Sequence, residues 1–159
     1  MITMKQLVYA LRSKPLSGED IEKATDDEIK VLVYRDVAKI KDVKDLFGNR
    51  DCICLLYETK PNFGHWVGLI RYPKEHKIEF FDPYGYEPDE QLDMIDEKFK
   101  KQSGQDYPHL AEILVESDYN LVYNPIEIQK EGDNISSCGR HVLLRCMMRQ
   151  MTLTNYINF

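Results

Sequence analysis

The sequence lacks any long apolar run, and this absence limits where the protein can act. No stretch approaches the roughly 20 apolar residues that a membrane-spanning helix requires, although 43% of the 159 residues are hydrophobic. The first residues, Met1 to Lys5, also lack the apolar core of a secretory signal. We therefore expect an intracellular protein that is not secreted and has no membrane partner.

Cysteine is scarce, and its spacing suits neither a zinc site nor a disulfide framework. The chain has four cysteines, and none stands in the Cys-x-x-Cys pairs that zinc sites favour. Inside a cell such thiols stay reduced. Cys52 and Cys54, which alternate in an apolar run, are predicted core residues. We expect neither a metal nor a cofactor.

An excess of basic residues is missing too. The 21 Lys and Arg residues are outnumbered by 27 Asp and Glu residues, which gives a net charge of −6. Nucleic acid is therefore not indicated as a partner. No repeat, low-complexity tract or linker divides the chain, so residues 1–159 are predicted to form a single domain with a hydrophobic core.

The hydrophobic pattern predicts the α+β class, because strands cluster in the middle of the chain and helices lie toward both ends. The predicted strands cover residues 31–34, 52–57, 66–72, 77–81 and 121–123. The predicted helices cover residues 4–11, a segment that starts at Ser17, and residues 37–47, 88–101, 108–115 and 139–151. We expect a central, mostly antiparallel sheet flanked by these helices.

A predicted hairpin brings a histidine and an aspartate together. Residues 73–76 form its turn, and a turn centred there places His65 opposite approximately Tyr84. His65 and Asp82 therefore lie at the same open end of the hairpin. We expect the Asp82 carboxylate to accept the Nδ1 hydrogen of His65 and to fix the orientation of the ring.

A cysteine opens the last predicted helix. Cys138 stands directly before an apolar helical pattern, where free backbone N–H groups and the helix dipole favour a thiolate. Gly139 leaves room beside the sulfur for a substrate carbonyl. The Cys138 backbone N–H and the Gln129 side chain could donate hydrogen bonds to an oxyanion.

The order His65, Asp82, Gln129, Cys138 supplies every part of a cysteine acyl-transfer site. Each residue alone has an ordinary interpretation: a packing histidine, a turn aspartate, a solvated glutamine and a small buried cysteine. Their joint placement at the ends of predicted elements favours nucleophilic cysteine chemistry. His141, about one helical turn after the cysteine, is an alternative base without an obvious carboxylate partner.

The segments GHWVGL (64–69), FDPYG (81–85) and SCGRH (137–141) resemble the adenain-like cysteine proteases. That group contains the adenovirus maturation protease and, more distantly, the proteases of ubiquitin-like proteins. The likeness is greatest to the maturation proteases of virophages, Polinton transposons and related large DNA viruses. It spans roughly Leu16 to Met148, and the order His, Asp, Cys distinguishes it from papain-type enzymes, in which Cys comes first.

The resemblance implies a papain-like fold in permuted order and assigns roles to the site. Cys138 would be the nucleophile, His65 the general base and Asp82 the residue that orients it. Gln129 would complete the oxyanion hole, and Trp66 would pack beside the catalytic histidine as part of the active-site wall. The expected activity is that of an endopeptidase that cleaves capsid or other virion precursors at glycine-containing sites, in the host cytoplasm, the virus factory and the virion.

One spacing departs from the family pattern, and three other functions remain open. Gln129 stands nine residues before Cys138, whereas the family more often has six or seven, so Asn134 and Asn124 are alternative oxyanion donors. The same site could remove ubiquitin-like modifiers or transfer an acyl group from coenzyme A. The chain could also be an inactive binding module that keeps the fold.

Overall fold

The structure, a computed structural model, describes residues 17–25, 28–124, 126–128 and 138–158. Its strands are β1 (Lys30–Val33), β2 (Cys52–Lys60), β3 (Phe63–Tyr72), β4 (Lys77–Phe81) and β5 (Asn120–Tyr123). Its α-helices are α1 (Gly18–Ala24), α2 (Val43–Phe47), α3 (Glu97–Gln102), α4 (His109–Glu116), α5 (Cys138–Met147) and α6 (Leu153–Ile157). Two 3-10 helices cover Tyr34–Lys39 and Glu90–Met94. The predicted helix at 4–11 lies outside the described residues.

The strands form one mixed sheet in the order β1-β2-β3-β4-β5. β2, β3 and β4 are antiparallel, whereas the edge strands β1 and β5 each run parallel to their neighbour. The hairpin pairs Gly68 with Phe81 and Leu69 with Phe80, which is the register that the predicted turn requires. The predicted α+β class, with a central sheet between helices, is confirmed.

The sheet separates two hydrophobic cores. Alternate β2 residues such as Ile53 and Leu55 pack with side chains of α2 and α4 on one face. Cys52 and Cys54 point to the other face, where they pack with α1, α5 and α6. Both thiols are buried and free, as predicted. Cys138 belongs to this second core, so the start of α5 is held against the sheet.

Two predicted helices are each divided, and an aspartate explains each division. Asp42 accepts a hydrogen bond from the Asp45 N–H at 2.8 Å and starts α2 anew after the first 3-10 helix. Asp96 does the same with the Phe99 N–H at 3.1 Å and starts α3. The apolar spacing continues across both breaks because the flanking segments face the same core. The α6 helix, capped by Thr152, was not predicted.

Candidate active site

His65 and Asp82 meet at the open end of the β3–β4 hairpin, as predicted. The His65 Nε2 atom lies 2.8 Å from Asp82 Oδ1, and the two side chains are only 3% and 1% exposed. The prediction of the ring nitrogen was wrong, because Nε2 rather than Nδ1 contacts the carboxylate. Among the described residues Nδ1 has no partner at hydrogen-bonding distance and angle.

Asp82 is held by its neighbours through both its side chain and its main chain. Its Oδ1 also accepts a hydrogen bond from the Tyr84 N–H at 2.8 Å. The Asp82 N–H donates to Asn124 Oδ1 at 3.0 Å, and Asn124 Nδ2 donates to the Asp82 carbonyl at 2.8 Å. Asn124 is fully buried with its amide engaged in this way. The interpretation of Asn124 as an alternative oxyanion donor is therefore wrong.

Cys138 is the first residue of α5, and its thiol lies against the main chain of β3. The sulfur accepts a hydrogen bond from the Trp66 N–H at 3.4 Å and lies 4.0 Å from the Gly64 carbonyl oxygen. The Trp66 N–H and the N-terminus of the ten-residue helix α5 both present positive dipole ends to the sulfur.

His65 is electrostatically coupled to both other residues. Burial disfavours its charged form, but the hydrogen bond with Asp82 and the nearby Cys138 outweigh burial and raise the pKa of His65 to about 9. The ring is therefore protonated at neutral pH. The site therefore places a charged imidazolium near the Cys138 thiol.

The aromatic ring that covers the imidazole belongs to Tyr84. Its centroid lies 4.4 Å from that of His65, with 15° between the ring planes. The Trp66 side chain is buried in the same core as Cys138, while its backbone contacts the thiol. Sequence reasoning gave Tyr84 no role, although the hairpin register had placed it opposite His65.

The other predicted site residues are placed less directly. Gln129 and Asn134 lie outside the described residues. Gly139 is buried beside Cys138. Burial and then the nearby Arg140 lower the pKa of His141, in contrast to that of His65. Within the described ranges, no group of three or more His, Cys, Asp and Glu side chains could hold a metal ion.

A buried ion pair joins α5, which begins at Cys138, to β4, which ends one residue before Asp82. Arg145 of α5 donates through Nε and Nη2 to the two carboxylate oxygens of Glu79 in β4, at 2.7 and 2.8 Å. Both side chains are about 1% exposed. The sequence analysis did not predict this pair, although a glutamate in an apolar strand and an arginine in an apolar helix were visible signals.

No helix in the described part of the chain is long and apolar enough to cross a membrane.

Comparison with known proteins places the chain in a family. No protein-family model matches it. Among solved structures it is similar to "SUMO protease Ulp1 with the catalytic cysteine oxidized to a sulfinic acid", at 14% identity and a TM-score of 0.39, with 94% of this chain and 84% of that chain covered. The uncharacterized protein V9 of Sputnik virophage is 32% identical over 153 residues, which cover 96% of this chain and 86% of V9. The chain therefore belongs to the same protein family as V9 of Sputnik virophage.

Proposed function

We propose that the protein is a cysteine endopeptidase of the adenain-like type. Cys138 is the nucleophile, His65 the acid–base residue and Asp82 the residue that orients His65. The observation that carries the proposal is the position of the His65 ring between two partners. Its Nε2 atom is hydrogen-bonded to Asp82, and Cys138, at the start of α5, lies near enough to raise the pKa of the ring. The order of the three residues in the chain and their burial support the same assignment.

In the proposed reaction the Cys138 thiolate attacks the carbonyl carbon of a peptide bond. A carbon–sulfur bond forms, and negative charge moves to the carbonyl oxygen, where the Cys138 N–H and Gln129 donate hydrogen bonds. The tetrahedral intermediate collapses, the carbon–nitrogen bond breaks, and the proton on His65 Nδ1 passes to the leaving amine. Water then gives its proton to His65 and attacks the thioester, which releases the acid and the free cysteine.

The proposed substrates are viral precursor proteins, cleaved at glycine-containing sites in the host cytoplasm, the virus factory or the virion. Kinship with a virophage protein supports a viral substrate. The deep burial of Cys138 and His65 supports small residues next to the scissile bond, because a bulky side chain would meet the surrounding main chain and the Tyr84 ring. Capsid precursors are the first candidates within this class.

A labelling experiment tests the nucleophile. The protein is treated briefly with a limiting amount of iodoacetamide at pH 6 and pH 8, and modified cysteines are located by peptide mapping. We expect selective modification of Cys138 that persists at pH 6 and weakens in His65→Ala. Equal, slow labelling of all four cysteines would contradict the proposal.

A substrate panel then separates the possible reactions. It contains a fluorogenic glycine-containing peptide, a fluorogenic substrate that ends in the C-terminus of a ubiquitin-like modifier, and acetyl-labelled coenzyme A with a protein acceptor. We expect cleavage of the peptide that is lost in Cys138→Ala and retained in the matched variant His141→Ala. Preference for the modifier would assign a deconjugating protease, and transfer of label would assign an acyltransferase.

A further inference from the structure

We propose that Asn124 is a positioning residue, which acts on the reaction through the main chain of Asp82. The inference rests on the proposed roles of His65 and Asp82. The hydrogen bonds that Asn124 makes within the described part of the chain go to main-chain atoms of Asp82 and Ile126. The Asn124 side-chain amide accepts a hydrogen bond from the Asp82 N–H at 3.0 Å and donates one to the Asp82 carbonyl at 2.8 Å.

The Asn124 amide makes its hydrogen bonds just beyond the point where the pairing of β4 with β5 ends. β4 stops at Phe81 and β5 stops at Tyr123, and the last pair between them joins Phe80 to Tyr123. One further step in this register would place Asn124 opposite Phe81, so regular pairing would not place Asn124 opposite Asp82. The Asn124 side chain offers a C=O acceptor and an N–H donor side by side, as a peptide group does, and with them it makes both backbone hydrogen bonds to Asp82.

The position of Asp82 requires such support. A carboxylate must sit within a few tenths of an ångström to hold the His65 ring in a productive orientation. Fixing the N–H and the carbonyl of Asp82 fixes its backbone, and with it the direction in which its side chain leaves the chain. Because Asn124 is fully buried, water does not compete for these bonds.

Asn124 also joins Asp82 to the segment 126–128. Its Nδ2 atom donates a second hydrogen bond to the Ile126 carbonyl at 3.1 Å. The Ile128 N–H donates to the Pro83 carbonyl at 2.8 Å, and a Cβ atom on Gly85 would lie 3.2 Å from the Ile126 backbone. The turn that follows Asp82 is thus held by contacts with residues 126–128. A purely structural role for Asn124 would stabilise this turn without affecting the imidazole, and the two roles give different results.

The experiment compares Asn124→Ala and Asn124→Ser with Tyr34→Phe. The control removes a buried hydroxyl that contacts the Tyr107 carbonyl and the Leu110 N–H, each at 3.2 Å, and its partners lie outside the site. For every protein the His65 ring is titrated by NMR, the pH dependence of Cys138 alkylation is recorded, and the Tm is measured. kcat/KM is measured on the best peptide of the substrate panel.

We expect Asn124→Ala to shift the titration of His65 from about 9 toward the ordinary value of 6.5. kcat/KM should fall on the order of 10- to 100-fold, as when a supporting residue lets a reacting group move. Asn124→Ser can keep one of the two hydrogen bonds to Asp82, so its His65 titration and its kcat/KM should lie between those of Asn124→Ala and the unmodified protein. This variant decides the question if Asn124→Ala does not fold. Tyr34→Phe should lower the Tm without moving the titration of His65.

A lower Tm in the folded Asn124 variants with an unchanged His65 titration would overturn the inference. So would an equal shift in Tyr34→Phe, since the effect would then follow from general destabilisation. Failure of the proposed function looks different, because the unmodified protein would then show an unreactive Cys138. The His65 titration tests Asn124 in that case as well, since it requires no turnover.

Discussion

The ring of Tyr84 lies flat on the ring of His65, with 4.4 Å between centroids and 15° between planes. The Tyr84 N–H also donates to the same Asp82 oxygen that the His65 Nε2 contacts. One residue therefore touches both members of the His–Asp pair. The stack restricts the plane of the imidazole, and the electron-rich face of the tyrosine favours the imidazolium.

Removing this ring should impair catalysis more than removing its hydroxyl. We expect Tyr84→Ala to lower the pKa of His65 and to reduce kcat/KM by about 2- to 30-fold, the range that a cation–π contact of ~0.5–2 kcal/mol spans. Tyr84→Phe keeps the stack and should stay close to the unmodified protein. Steady-state kinetics on the glycine-containing peptide measure both variants. An equal loss in the two would assign the effect to the hydroxyl instead.

The fall of activity at high pH, the alkaline limb of the activity profile, should report the loss of the proton from His65. In the proposed mechanism the imidazolium donates the proton to the leaving amine, so activity should be present below the His65 pKa of about 9 and fall as pH rises through it. Asp82→Asn removes the charge that favours the imidazolium and should move this limb down toward 6.5. kcat/KM measured from pH 5 to pH 10 gives the limb for each protein. An alkaline limb that stays in place in Asp82→Asn would remove Asp82 from the proposed site.

The meeting of His65 and Asp82 could be predicted from sequence because a hairpin has a fixed geometry. Once the turn is placed, the cross-strand pairs as far as Gly68 and Phe81 follow, and extending the same register places Tyr84 opposite His65. The ring nitrogen could not be predicted in this way. Which nitrogen faces Asp82 depends on the side-chain torsions of His65, and these are set by packing rather than by the strand register.

The supporting contacts were missed because their partners are far apart in sequence. Asn124 and Asp82 are separated by 42 positions, and Arg145 and Glu79 by 66. Local patterns carry no information about such pairs. The divided helices have a different cause. The apolar spacing is continuous through Ile95, but the 3-10 helix ends at Met94 and Asp96 caps a separate helix, α3.

The buried pair of Glu79 and Arg145 should depend strongly on both partners being present. Glu79→Leu or Arg145→Met alone leaves a buried charge without its partner and should lower the free energy of unfolding by about 3–5 kcal/mol. The double variant removes both charges and should cost less than the sum of the single changes. Urea unfolding of the four proteins measures the coupling.

The exposed ion pair of Lys23 and Glu19 provides the matched control for this comparison of single and double variants. Its N–O distance is also 2.7 Å, but its side chains are about 70% exposed, so Lys23→Met should leave the unfolding transition unchanged within error. Additive effects of Glu79→Leu and Arg145→Met would show that the two charges do not stabilise each other. The attachment of α5 to β4 would then have to come from apolar packing.

Gly64 should tolerate no side chain, because β3 approaches β2 too closely at this position. A Cβ atom there would lie 2.0 Å from the Tyr57 carbonyl oxygen and 2.9 Å from the Glu58 Cα. Both neighbours are backbone atoms, so relief requires a shift of β3 that also moves His65. We expect Gly64→Ala to lower the free energy of unfolding by at least ~2 kcal/mol and to reduce Cys138 alkylation at pH 6.

Gly104→Ala separates this clash from the loss of a glycine as such. Gly104 has a φ of +71° and no atom within 4 Å of an added Cβ, so its replacement brings only the left-handed backbone cost of about 1 kcal/mol. Thermal unfolding and Cys138 labelling are compared for both variants. If Gly64→Ala lowers the free energy of unfolding no more than Gly104→Ala does and leaves the labelling of Cys138 unchanged, close contact of β3 with β2 is not what places His65 near the thiol.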